Sequence, residues 1–259
     1  MKTSRYIFVC FLILLMLLVI GYWFFQYNEG MSDSEKVVFI IPTTSRNANF
    51  KDAKSCSLVD VLYSSLKQFD ISNYTFLIGI DDDDEFYLNN INEIKSLLPN
   101  NFHFSFLNNY DKNYVCIVNQ LANLAINEYN AEYLFVFADD LKIFEIDYIN
   151  TFIDYFKKND LLCLGWAIDE SNQVIATHPF VHKKHVELLG YFYPKEIKNW
   201  RCDNWISYVY DRLGKIVKTD KPVFTNTLLA VDVKRYDIVI MEDDELNNLV
   251  NFAVDVLSQ

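Results

Sequence analysis

Three short runs of β-branched and aromatic residues, each stopping abruptly at a polar or acidic cluster, limit what this chain can fold into more than any other feature. Residues 36–41 read KVVFII and end at Pro42, ahead of Thr43, Thr44, Ser45 and Arg46. Residues 74–80 read YTFLIGI and end at Asp81, Asp82, Asp83 and Asp84; residues 133–137 read YLFVF and meet Asp139 and Asp140 one alanine later. Continuous apolar runs without alternation mark strands covered on both faces, which is the situation of parallel strands. Helices are expected between them at 53–69, 88–98 and 114–129. In the last of these, Ile117, Leu121, Leu124 and Ala125 recur at helical spacing and put one face on a sheet. A strand at 102–107, a helix at 146–158, a strand at 161–166 and a shorter one at 173–177 continue the alternation. Leu246, Leu249, Val250, Ala253, Val254 and Leu257 predict a closing helix behind the acidic run 242–245, whose charge suits a helix N-terminus. The expectation is an α/β fold, a mixed but mainly parallel sheet flanked by helices.

Parallel sheets take ligands beyond the carboxyl ends of their strands. Each polar cluster has a plain structural use there, as a turn, a solvated loop or a helix cap. Their common placement after strands points to a site. The chain carries 23 Lys+Arg against 35 Asp+Glu, a net charge of −12, which excludes a protein built to grip a nucleic-acid backbone. A phosphorylated ligand at such a rim needs a divalent cation, Mn²⁺ or Mg²⁺, and two neighbouring carboxylates are suitable ligands for it.

Residues 6–25 form an uncharged apolar run of about 20 residues, enough at about 1.5 Å per residue to cross a bilayer core of about 30 Å. The run is too long for a cleaved leader, and bulky Tyr22, Trp23, Phe24 and Phe25 stand where small residues would be cut. Lys2 and Arg5 precede it and Glu29, Asp33 and Glu35 follow, so the positive-inside rule gives a single-pass type II orientation. The organisation expected is a cytosolic tail at 1–5, an anchor at 6–25, a stem at 26–35 and one domain at 36–259, with halves at about 36–145 and 146–259. That domain would then lie in the lumen of the secretory pathway, Golgi or ER, or on host-cell membranes for a viral protein. Cys56, Cys116, Cys163 and Cys202 are even in number and could pair in an oxidising compartment, or be buried free thiols.

The strand ending in Ile-Pro-Thr-Thr-Ser, the strand ending in Gly79-Ile80-Asp81 and the strand ending in Asp139-Asp140 together resemble the nucleotide-binding half of GT-A glycosyltransferases. Residues 178–210, HPFVHKKHVELLGYFYPKEIKNWRCDNWISYVY, are similar to a segment of glycosyltransferase-like proteins from giant DNA viruses and unicellular eukaryotes. The resemblance covers about 37–213 and implies transfer of a sugar from a nucleotide diphosphate sugar to a hydroxyl of a glycan, glycolipid or protein acceptor. It places Thr43, Thr44 and Arg46 near the base or phosphates, and Asp81 and Asp83 on the nucleoside. Asn119 would shape the donor pocket, Asp139 would face the ribose or donor sugar, and Asp140, with Asp139, would hold the metal. Asp203 would be the base that deprotonates the acceptor, though it could instead cap the following helix. Trp200 and Trp205 would stack on the acceptor sugar, or simply pack.

The family often takes a third metal ligand from a C-terminal His, and no His follows His185 here. His178 could fold back to the metal, and water or Asp203 could complete the shell. His182 and His185 lie at i, i+3 on a possible helix face, as further candidate ligands or as an isolated basic patch with Lys183 and Lys184. A catalytically inactive carbohydrate- or nucleotide-binding module is the alternative function, and a metal-dependent phosphotransfer enzyme a third.

Overall fold

The structure is a computed structural model that describes residues 35–108, 112–227, 235–236 and 239–259. Residues 36–259 form one compact unit. The expected tail and anchor and nearly all of the stem lie outside the described residues. Among the described residues no helix is long and apolar enough to cross a membrane.

Among the described residues eight strands, β1 (Val37–Thr43), β2 (Thr75–Asp81), β3 (Phe102–Leu107), β4 (Tyr133–Val136), β5 (Leu141–Ile143), β6 (Leu164–Asp169), β7 (Pro179–His182) and β8 (Ile216–Asn226), make a single sheet in the order β3-β2-β1-β4-β7-β6-β8-β5. The four strands β3-β2-β1-β4 are parallel, as the unbroken apolar runs of β1, β2 and β4 predict. Beyond them β7 runs antiparallel to β4 and to β6, β6 pairs parallel to β8, and β5 is antiparallel to β8. The sheet is therefore mixed rather than mainly parallel. The strands of this half were hard to read: β5 is three residues long, and β8 is studded with Lys218, Asp220, Lys221 and Pro222.

The strand expected at 173–177 does not form. Asp169, at the end of β6, accepts bonds from the backbone N–H and the hydroxyl of Ser171 at 2.8 and 2.7 Å, and this local turn diverts the chain. The return strand, β7, starts at Pro179 instead. The helix expected at 53–69 is likewise broken into a 3-10 turn (Ala53–Ser55), a π-helical stretch (Leu58–Tyr63) and a single α-turn (Ser64–Leu66). Hydroxyls of Ser64 and Ser65 bond back to the carbonyls of Asp60 and Leu62 at 2.5 and 2.9 Å, competition of the kind that disfavours a regular helix.

Among the described residues six longer α-helices cover the sheet: α1 (Glu85–Leu97), α2 (Tyr114–Tyr129), α3 (Tyr148–Lys158), α4 (Lys184–Leu189), α5 (Cys202–Leu213) and α6 (Asp243–Leu257). Asp84 caps α1 through the Tyr87 N–H at 3.2 Å, and Asn113 caps α2 through the Cys116 N–H at 3.2 Å. Strand alternation sends Val37, Phe39 and Ile41 to one core with α1 and α3, and Val38 and Ile40 to the other with α2, α5 and α6. The first core is mostly aromatic, with Phe39 stacked on Phe76 and Phe135 at centroid separations of 4.7 and 5.3 Å. Cys56, Cys116, Cys163 and Cys202 are all unpaired, and burial pushes the Cys56 and Cys163 thiols up to about 11.

Gly165 in β6 lets Phe152 of α3 lie directly on the sheet, since a β-carbon there would come within 2.5 Å of the ring. Gly165→Ala should destabilise the protein by about 1–3 kcal/mol through overpacking. Urea unfolding monitored by circular dichroism checks this, and an unchanged midpoint would show that the ring can move aside.

Candidate active site

In the order β3-β2-β1-β4 the chain winds one way from β1 to β2 and the other way to β4, so a crevice opens beyond the carboxyl ends of β1 and β4. A cavity of about 510 Å³ lies there, and Asp139, Asp140, Asp169, His178, Trp200, Asp203, Asn226 and Arg235 are among the residues that line it.

Asp139 and Asp140 follow β4 directly and are 1% and 2% exposed. Such burial of two adjacent carboxylates requires compensating donors. Tyr87 donates to Thr43 at 2.8 Å, and Thr43 donates in turn to Asp139 at 2.5 Å. Arg235 bonds both Asp139 oxygens at 2.7 and 2.8 Å and reaches Asp140 at 3.0 Å. The β5–β8 pairing sets Asn226 beside Asp140, where its amide nitrogen reaches both carboxylate oxygens at 3.1 Å. Thr227 then holds the Asp140 carbonyl through its N–H and hydroxyl at 3.1 and 2.8 Å. Burial, and next the charge of Asp139, raise the Asp140 carboxyl up to about 7, with Arg235 pulling the other way.

Across the cavity Asp203 sits in the first turn of α5. It is not the helix cap: that position belongs to Arg201, which adopts a left-handed φ of 81°. Burial raises Asp203 up to about 7 against the Cys202 hydrogen bond, with a smaller upward push from Asp169. His178 is buried between Phe137 and Phe224, and its ring nitrogens make no well-formed hydrogen bond beyond a weak approach to the Val136 carbonyl. Burial lowers it to about 4 despite Asp169 and the Val136 carbonyl, so it is neutral at physiological pH.

Of the residues expected from sequence, Asp139, Asp140, Asp203 and Trp200 line the cavity. Thr43 acts one step behind it, on Asp139. Arg46 and Asp81 form an ion pair with each other; Arg46 also donates to the Arg235 carbonyl at 3.2 Å and lies over the Tyr236 ring, 5.3 Å from its centroid. Thr44 donates to Asp84 at 3.1 Å and so braces the rim. Asp83 is exposed beside it. Two expectations need correction. Asn119 does not face the cavity: its carbonyl accepts from the Phe192 and Tyr193 N–H groups, each at 2.9 Å, and its amide donates to the Tyr193 carbonyl at 2.8 Å. Trp205 is wholly buried among His185, Tyr191 and Tyr193, because the apolar face of α5 turns it inward.

The histidines are no surface patch either. His178, His182 and His185 are all buried, and His185 links Tyr210 and the Phe192 carbonyl at 2.9 Å each. Asp169, Asn226, Arg235 and Tyr236 were missed. Asp169 would have been found by carrying the strand at 161–166 to its true end, where it stands like Asp81 at a carboxyl edge. Arg235 has no local signal, since it joins the site from 95 residues beyond Asp140 in sequence (235 − 140 = 95).

A divalent cation suits this donor set in one way only. Carboxylate oxygens are hard ligands, and Mg²⁺ is commonly held by one or two of them together with substrate phosphates. Among the described residues no three His, Cys, Asp or Glu side chains gather into a site made by protein alone. Asp139 and Asp140 thus fit a cation shared with a diphosphate.

With this geometry in view, the comparisons with known proteins concern the fold. No protein-family profile matches the chain, and no curated protein matches it. Solved structures do. S. aureus TarS residues 1–349 in complex with UDP-GlcNAc superposes with a TM-score of 0.58 at 14% identity, covering 84% of this chain and 66% of that one. The mannosyltransferase PcManGT from Pyrobaculum calidifontis, in complex with GDP-Man and Mn²⁺, gives 0.54 at 9% identity, covering 75% of this chain and 57% of that one. The fold is GT-A-like. Kinship with proteins of giant viruses and unicellular eukaryotes finds no support in these comparisons.

Two measurements follow from the site. Trp205→Ala should cost about 3–5 kcal/mol of stability, the usual penalty for emptying a large buried aromatic position, whereas a sugar-stacking residue would alter ligand affinity and spare stability. Because the folded Asp203 binds its proton more tightly than the unfolded chain does, its ionisation weakens the fold as pH rises from about 4 through about 7. The melting temperature of Asp203→Asn should therefore gain on that of the wild type between pH 5 and pH 8; a constant difference would contradict the shift.

Proposed function

We propose that this chain is a nucleotide-sugar-dependent glycosyltransferase, carried by the membrane segment 6–25 in type II orientation with its domain in the lumen or outside. The observation that carries the reading is the acidic pair Asp139–Asp140 at the crevice of a GT-A-like sheet, facing a partly buried carboxylate, Asp203, across one cavity. Neighbours of this fold hold UDP-GlcNAc, UDP or GDP-Man with Mn²⁺, and the present cavity is of the size that small ligands fill.

Each part of the proposed mechanism rests on a named side chain. Thr43 fixes the Asp139 carboxylate toward the ribose or donor sugar. Arg46 and Asp81, paired at the rim, flank the nucleoside end, with Asp83 nearby. A divalent cation held by Asp140 and Asp139 supplies neutralising charge for the leaving diphosphate. Asp203 accepts the proton of the acceptor hydroxyl, a task suited to a carboxyl whose affinity for protons is raised toward the working pH. Trp200, half-buried on the same wall, offers a face to the acceptor sugar.

The test is a panel of nucleotide sugars with and without Mn²⁺, scored by thermal shift and by release of nucleoside diphosphate. One donor should stabilise the protein and be turned over only with metal, and Asp140→Asn should lower turnover by about 10²-fold or more. Asp203→Asn should keep donor binding and lose transfer to acceptor. Binding without turnover under every condition would instead favour a carbohydrate- or nucleotide-binding module.

A further inference from the structure

Among the described residues the cavity wall carries four carboxylates, Asp139, Asp140, Asp169 and Asp203, against two guanidinium groups, Arg201 and Arg235. Arg201 is committed elsewhere, to Asp243 at the start of α6 and to the Met241 carbonyl. Arg235 is thus the cation that answers the acidic pair. Its guanidinium spans both carboxylates with three contacts of 2.7–3.0 Å and its side chain is 14% exposed. Burial alone would lower its affinity for a proton, yet the two aspartates outweigh this and raise it. Both Asp139 oxygens and one of the two Asp140 oxygens, which a divalent ion would draw on, are held by Arg235.

We propose that Arg235 is a built-in counter-ion that competes with the divalent cation for Asp139 and Asp140, so that metal enters only when a nucleoside diphosphate arrives to take the guanidinium in exchange. The inference deepens the transferase reading and rests on its metal site. Two like charges cannot easily share the pair at such distances, because a fixed guanidinium beside the carboxylates repels an incoming divalent ion. A diphosphate resolves the conflict, because it offers Arg235 phosphate oxygens that match its planar fork and offers the metal further oxygen ligands. Position 235 is also tied to the nucleoside side of the site. Its carbonyl accepts from Arg46, the partner of Asp81, and the next residue, Tyr236, packs against Arg46 and against Tyr114, its ring centroid 5.5 Å from that of Tyr114.

The test measures Mn²⁺ binding to the full-length chain by electron paramagnetic resonance of the free ion, at one pH and without nucleotide. Arg235→Gln should bind Mn²⁺ at least about tenfold more tightly than the wild type. Arg235→Lys, which keeps the charge but loses the two-pronged grip, should gain less. Asp140→Asn should abolish binding in either background. Adding UDP or GDP should tighten Mn²⁺ binding by the wild type at least about tenfold and by Arg235→Gln much less. If Arg235→Gln folds and binds Mn²⁺ no better than the wild type, the competition is refuted. If that variant does not fold, equal Mn²⁺ affinity in Arg235→Lys and the wild type refutes it as well. Failure of the transferase reading would look different: no nucleotide sugar is turned over by the wild type, while the gain in Mn²⁺ affinity on removing Arg235 persists.

Discussion

Two carboxylates side by side at the buried end of a strand are the constraint around which this molecule is arranged. Left alone they would repel each other and one would take up a proton. The fold surrounds them with donors drawn from distant parts of the chain: a hydroxyl from β1, itself steadied by a tyrosine on α1, an amide from the end of β8, and a guanidinium from beyond it. None of these elements can shift without disturbing the charge balance of Asp139 and Asp140. The long β8 strand is a case in point. It closes the sheet against β6 and β5, and its last residue touches the acidic pair.

The parallel half of the fold was legible because burial on both faces writes itself into sequence as unbroken apolar runs. β1, β2 and β4 follow that rule closely, the edge strand β3 (FHFSFL) less so, and α2 displays a single apolar face that fits against the sheet. The other half was not legible for equally physical reasons. β5 and β7 are too short for periodicity to register, and β8 is half exposed and polar. At 53–69 the hydrophobic spacing of a helix was present, but serine hydroxyls bonded to the backbone reshaped it.

The site shows the same division. Asp139, Asp140 and Asp203 could be singled out because each stands at a strand end or a helix start, positions where side chains meet solvent or ligand. Asn119, inside α2, and Trp205, near the start of α5, are of equally suggestive chemical type and have the opposite fate. One spends its amide on a neighbouring loop and the other fills the core, since chemical type alone does not say which way a helical residue turns. Arg235 illustrates the limit from the other side. Its role depends on a long-range meeting with Asp139 and Asp140, and an arginine seen in isolation carries no trace of that.

The C-terminal helix has a bearing on how the domain can be handled. Leu246, Val250, Ala253 and Leu257 are packed into the same core as Trp205, Val209 and Tyr210 on the inner side of α5, while Arg212 grips Asn247 and Asn251 from outside. The wall that presents Asp203 is therefore propped from behind by the last stretch of polypeptide. Trimming the chain within those closing turns would strip the backing from α5, so an expression boundary has to be set past Leu257.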